Sequence, residues 1–117
     1  MDLLEYQGKQ LFQRHGVPVP AGRHATSVEE AQAAADEVGY PCVVKAQVQI
    51  GGRGKAGGIK LAASREEAGE HAQAILGIDI RGLTVHELWI EGASEIEAEY
   101  YASVVFDRSA KAPLLML

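Results

Sequence analysis

The sequence holds a single cysteine, Cys42, among 117 residues, so no disulfide can form within the chain. Cys42 lies in the apolar run Cys42–Val48, where a buried and inert thiol is expected rather than a reactive one. The opening Met1-Asp2-Leu3-Leu4-Glu5 lacks a basic leader region, and no apolar run is long enough to cross a bilayer. A reducing cytoplasm is therefore the expected compartment. Positive charge is scarce: 11 Lys and Arg stand against 16 Asp and Glu, a net charge of −5, which argues against a nucleic-acid or anionic-membrane surface. His15, His24, His71 and His86 have no metal-ligand spacing, and there is no nucleophile elbow, zinc motif or catalytic triad. Repeats and low-complexity segments are also missing. With 47% hydrophobic residues, the chain suits one small domain with one core.

What the chain does have is a cluster of glycines, five of its 13 within residues 51–58. Val43-Val44-Lys45-Ala46-Gln47-Val48-Gln49-Ile50-Gly51-Gly52-Arg53-Gly54-Lys55-Ala56-Gly57-Gly58-Ile59-Lys60 reads as strand, glycine loop, strand, with Arg53 and Lys55 in the loop. Glycines let a backbone approach a ligand closely, and consecutive N–H groups can form an anion-binding concavity. Gly52-Arg53-Gly54-Lys55-Ala56-Gly57 matches G-x-G-x-x-G, but a dinucleotide site needs a helix next, and Ile59-Lys60-Leu61-Ala62 follows. The Walker pattern fails because Ala56 follows Lys55 and position 49 is Gln. A flap over nucleotide phosphates remains, set against a mobile hairpin tip with solvated cations.

Lys45 adds weight to the first reading. In an apolar strand its ammonium must snorkel out, pair or face a ligand, since a buried unpaired charge is costly. Beside a glycine flap it could hold a phosphate. Of the acidic residues Glu87, Glu91, Glu95, Glu97 and Glu99, most read as solvated surface. Glu91 and Glu99 flank the break Gly92-Ala93-Ser94, where a cleft could open and carboxylates could accept hydrogen bonds from a ribose. Trp89 and Tyr40 read as packing residues.

The rest of the pattern is α+β. A helix is expected over 3–14, with Asp2 and Glu5 at capping-box spacing and Leu4, Leu11 and Phe12 recurring at helical spacing. A short strand near Gly22–Ala25 comes next. Ser27 with Glu30 and Ser64 with Glu67 open two further helices, closed by Gly39 and Gly77. Thr84–Glu91 alternates as a strand, Ile96–Phe106 reads as a long strand up to the turn Asp107-Arg108-Ser109, and Leu114–Leu117 starts another. The chain stops inside an apolar run, which leaves an edge open to pairing. Self-association through the edge near Leu114–Leu117 is expected.

Leu3-Leu4-Glu5-Tyr6-Gln7-Gly8-Lys9-Gln10-Leu11-Phe12 resembles the opening of the β subunits of the succinyl-CoA synthetase (succinate–CoA ligase, ADP-forming) family. The segments Val43–Val48 and Gly51–Lys60 resemble that family's nucleotide loop, and Glu91, Glu99 and Val104-Val105-Phe106-Asp107-Arg108 fit the same pattern. Other acid–CoA ligases, such as malate–CoA ligase and ATP-citrate lyase, share parts of it. The resemblance implies an ATP-grasp fold: residues 1–117 would be one domain, most of the first lobe, with a mixed sheet and flanking helices. By resemblance Lys45, Gly52, Arg53 and Gly54 would contact nucleotide phosphates, and Glu91, Ser94 and Glu99 would line the adenine and ribose side. Pro20 would bear on base preference, read as ATP with GTP as the alternative.

The resemblance further implies an α-subunit partner that carries a phosphohistidine and binds CoA, and the reversible reaction of succinate, CoA and ATP to succinyl-CoA, ADP and phosphate, a step of the tricarboxylic acid cycle. The family's second lobe with its Mg2+ ligands, and its CoA-ligase domain, have no counterpart in these residues. No catalytic residue or metal ligand is therefore assigned here, and the 117 residues alone are expected to be inactive. A free-standing nucleotide-binding module is the alternative reading.

Overall fold

A computed structural model describes residues 2–117. The elements run α1 (Glu5–Arg14), β1 (Gly22–Ala25), α2 (Val28–Val38), β2 (Cys42–Gln47), β3 (Ile59–Ala62), α3 (Arg65–Ile75), β4 (Asp79–Ile80), β5 (Leu83–Thr84), β6 (Glu87–Gly92), β7 (Ser103–Asp107) and β8 (Ala112–Met116). The main sheet has four strands in the order β1-β6-β2-β3. The α+β class and the strand–glycine loop–strand are as expected. A mixed sheet is not: β1 with β6, β6 with β2 and β2 with β3 all pair antiparallel. β2 and β3 are joined directly through the glycine loop, which a parallel pair could not be without a crossover.

Strand alternation gives the sheet two different faces. Cys42, Val44 and Ala46 of β2 and Leu88 and Ile90 of β6 point to one side and are fully buried. There they meet α2 and α3, whose contact residues are Ala31, Ala34 and Ala35 on α2 and Ala68, Ala72 and Ile75 on α3. The small alanines let the two helices approach each other and the sheet closely. Burial of a Val44, Leu88 or Ile90 side chain is worth about 2 kcal/mol each. Burial also pushes the Cys42 thiol pKa up, consistent with an inert group.

The two serine caps form as the spacing predicts, with one refinement. Ser27 Oγ accepts from the Glu30 N–H at 3.1 Å, and Ser64 Oγ from the Glu67 N–H at 3.2 Å. The glutamate side chains reach back one residue further than in a standard box: Glu30 accepts from the Thr26 N–H and Glu67 from the Ala63 N–H.

Three expectations are corrected. α1 begins at Glu5, not residue 3, and Gln7 Oε1 accepts from the Leu4 N–H at 2.9 Å, so the Asp2–Glu5 box does not form. The strand expected over Thr84–Glu91 is two pieces, β5 and β6, because β5 turns back to pair with β4 as Arg81 and Gly82 take positive φ. The long strand expected over Ile96–Phe106 is extended only from Ser103, and its partner β8 starts at Ala112, two residues before Leu114. Residues 93–102 have no strand alongside, and Ile96, Tyr100 and Tyr101 are exposed. β7 and β8 pair only with each other, as a separate two-stranded hairpin.

Candidate anion-binding site

The site lies on the sheet's second face. Val43, Lys45 and Gln47 of β2 point there, as do Glu87, Trp89 and Glu91 of β6, since they alternate with the core residues. α1 lies across this face. Unlike α2 and α3, α1 buries none of its residues, and the Leu11 and Phe12 of its sequence stripe are exposed. It docks instead through Glu5, Tyr6 and Lys9.

Glu5 is the hub. Its Oε1 accepts from Lys45 Nζ at 3.0 Å, and its Oε2 lies 2.5 Å from the Arg53 guanidinium. Gln47 Nε2 donates to the same carboxylate at 3.3 Å, while Gln47 Oε1 accepts from the Tyr6 N–H at 3.1 Å. Glu91 is the second acid. It accepts from Lys45 Nζ at 2.8 Å and from the Trp89 indole N–H at 2.9 Å, and it pairs with Lys9. Lys9 also lies 3.1 Å from Glu5. Three cations thus share two carboxylates, with side chains 8–23% exposed, an excess of one positive charge in a poorly hydrated place.

The titration behaviour follows. Burial would raise the Glu5 carboxyl, but hydrogen bonds from Arg53 and Lys45 and their charges outweigh it and hold its pKa at about 2. Glu91 shows the same balance: burial opposes ionisation, and Lys45, Lys9 and Trp89 pull the pKa below the usual carboxylate value. Lys45 is raised, because Glu91 and Glu5 overcome the burial that would lower it.

Aromatic packing completes the face. Tyr6 stacks on Trp89 with ring centroids 5.8 Å apart and lies 4.6 Å from the His24 ring. Gly22 leaves the room: a Cβ there would come within 2.2 Å of the Trp89 ring. Trp89 is a packing residue, as its sequence context suggested.

The glycine loop is tied to this cluster through Arg53, whose guanidinium also donates to the Ala46 carbonyl at 2.9 Å. The N–H groups of Ala56, Gly57 and Gly58 turn inward, onto the carbonyls of Gly52, Gly54 and Arg53. Gly58 is required by crowding, since a Cβ would meet Ile80 at 2.8 Å and Ala46 at 3.0 Å. A groove of about 610 Å³ opens beside the cluster, lined by Leu3, Glu5, Gln49, Ile50, Gly51 and Arg53.

Of the sequence candidates, Lys45, Arg53 and Glu91 are brought together, with Gly52 and Gly54 on either side of Arg53 in the loop. Ser94 and Glu99 are not; both are exposed on the irregular segment after β6. Glu91 does not face the break at Gly92–Ser94 but is a buried partner of lysines, because position 91 shares its face with Lys45 and Trp89. Pro20 lines a 130 Å³ pocket with Val19 and Gly22 that shares Lys9 and Trp89 with the cluster. Sequence reasoning missed Glu5 and Lys9 as site residues; their i, i+4 spacing on α1 was the available signal. It also missed Arg81, whose guanidinium lies against Gly52, 3.2 Å from where a Cβ would sit. Among the described residues, no group of three or more His, Cys, Asp or Glu side chains is arranged to hold a metal ion.

Comparison with known proteins bears on this geometry. The model of the ATP-grasp domain family matches residues 2–117. The β subunit of succinate–CoA ligase [GDP-forming] from Thermus thermophilus is 53% identical over 117 residues, covering all of this chain and 31% of that protein. The chain thus spans about a third of the length of this curated relative. A dinucleotide-forming acetyl-coenzyme A synthetase 1 from Ca. Korarchaeum cryptofilum, solved with coenzyme A and Ca-AMPCP, superposes with a TM-score of 0.85 at 24% identity, over 97% of this chain and 51% of that one. The biotin carboxylase domain of a thermophilic 2-oxoglutarate carboxylase, solved bound to ADP, gives a TM-score of 0.59 at 29% identity, over 78% of this chain and 20% of that one.

Proposed function

The chain belongs to the ATP-grasp family, and on that premise we propose that it is the phosphate-holding part of the nucleotide site in an acid–CoA ligase of the succinate–CoA ligase β type. The observation that carries the reading is the convergence of Lys45 and Arg53 on one carboxylate beside an open groove. Two cations that hold a carboxylate in this way have the charge and donor geometry to hold a phosphate.

In this reading Lys45 binds phosphate as a point charge, Arg53 binds it with its planar fork, and Gly52 and Gly54 let the loop backbone come close. Glu91 holds Lys45 in place through its buried pair, and Ser94 and Glu99 line the adenine and ribose side. The nucleotide is ATP, with GTP as the alternative raised by the Thermus relative's name. Mg2+, when bound, would neutralise the transferring phosphates, and its ligands are assigned to no residue of this chain. The whole protein would join an α-type subunit carrying the phosphohistidine and CoA, and would form succinyl-CoA from succinate in the tricarboxylic acid cycle. A cytoplasmic location accords with the single buried cysteine; no helix of the described residues is long and apolar enough to cross a membrane.

The test is succinyl-CoA formation by the whole protein with its α-type partner, wild type against Lys45→Ala. Loss of at least about 100-fold in activity is expected, as for removal of a phosphate-stabilising charge. A wild-type rate in the variant would remove Lys45 from the site.

A further inference from the structure

Glu5 occupies the position that the preceding reading gives to a phosphate. We propose that Glu5 is a tethered internal anion that holds Lys45 and Arg53 until a phosphate-bearing ligand displaces it, so that ligand entry and undocking of α1 are one event. The inference rests on the assignment of Lys45 and Arg53 to phosphate binding.

Three features carry it. The Glu5 carboxylate is shared by the two cations at 3.0 and 2.5 Å, which leaves them no second anion of its kind to hold together. Glu91 remains on Lys45 when Glu5 leaves, so the lysine is not stripped of its fixed partner. The tether itself is weak. α1 has ten residues and none is buried; it is held by Glu5, Lys9, the Gln47–Tyr6 hydrogen bond and the Tyr6–Trp89 stack. A helix this short has little stability of its own, so its place depends on those contacts. The groove of about 610 Å³ gives a ligand access to Glu5 and Arg53 from the side.

Two like charges cannot both occupy the pair without strong repulsion at a few ångströms in a poorly hydrated place. A triphosphate brings several negative charges and more acceptor oxygens than one carboxylate, so it wins at sufficient concentration. The displaced α1 carries Tyr6 off Trp89, the chain's only tryptophan. Trp89 fluorescence therefore reports undocking directly.

The experiment titrates inorganic tripolyphosphate, without metal, into the 117-residue chain by calorimetry, with Trp89 emission followed in parallel. Wild type, Glu5→Gln, Glu5→Asp and Lys45→Met are compared, with folding checked by circular dichroism. Glu5→Gln is expected to bind about tenfold tighter than wild type, since it keeps the side chain's shape and removes its charge. Glu5→Asp, which stays charged but reaches less far, should fall between them and keeps the test open if the glutamine variant folds poorly. Wild-type Trp89 emission should change along the binding curve. Equal or weaker binding by Glu5→Gln, or a Trp89 signal that ignores the ligand, overturns the proposal. Unchanged binding in Lys45→Met instead overturns the phosphate assignment itself, and absence of any binding overturns both.

Discussion

α1 and α2 are helices of ten and eleven residues on opposite faces of one sheet, and they are held by different physics. α2 sits on alanines: Ala31, Ala34 and Ala35 are buried against α3 and the sheet, and its exposed ion pairs, such as Arg23 with Glu37, are incidental. α1 buries no residue and sits on charge, with Glu5 and Lys9 interleaved among Lys45, Arg53 and Glu91. Packing of α2 responds to little short of unfolding. Docking of α1 responds to whatever competes for charge, which is what a helix beside an anion site can use.

The largest effect should come from breaking the packed side. Ala35 is fully buried, so Ala35→Asp should cost about 4 kcal/mol by burying a charge without a partner, a large share of the stability of an ordinary domain. Urea unfolding measures it, and a loss confined to α1 would contradict the assignment of the core.

Glu91→Gln attacks the charged side. It leaves Lys45 and Lys9 with Glu5 as the one carboxylate they share, for an expected loss of about 2 kcal/mol. The Tyr6–Trp89 signal should be lost at lower urea than the far-ultraviolet signal of α2 and α3. Coincident transitions would mean that α1 is part of the packed unit.

Acid should separate the two helices more gently. The Glu5 pKa is about 2 in the fold against 4.5 for an unperturbed glutamate, and Glu91 is lowered too. Groups with depressed values stabilise the fold fully above pH 4.5, and that contribution fades as pH falls towards about 2. Below pH 4.5, the protection of α1 amides from exchange, relative to their intrinsic rates at each pH, should fall before that of α2 amides. Equal responses would show that the carboxylates do not govern docking.

The smallest effect concerns neither helix. The β7–β8 hairpin exposes Val104, Phe106, Leu115 and Leu117, and we propose that it associates with a second copy through its open edge. Sedimentation should show weak, concentration-dependent dimers that Leu115→Lys reduces. A monomer at all concentrations would contradict it.

Which parts were legible in the sequence follows from the same contrast. Ser27 and Ser64 announced α2 and α3 because caps and apolar periodicity are local signals, and the β2–glycine loop–β3 hairpin followed from Cys42–Val48 and Ile59–Ala62 on either side of one loop. Lys45 stood out because a lysine in an apolar strand needs a reason. Its two partners, Glu5 and Glu91, lie 40 and 46 residues away on α1 and β6, and nothing local links either to it. The strands β4 and β5 are two residues each, too short to carry a period. Residues 96–102 read as the start of the strand expected up to Phe106, but a strand also needs a neighbour, which sequence pattern does not supply.

The central claim is that Lys45 and the glycine loop hold phosphate and that Glu5 yields to it. Backbone amide chemical shifts recorded as ATP is added to the chain test it most directly. The account predicts that Lys45, Gly52, Arg53 and Gly54 move together with Glu5, Tyr6 and Lys9 of α1, while α2 stays in place. Shifts that leave Lys45 and Gly52–Gly54 unmoved, or that move them with α1 undisturbed, would contradict it.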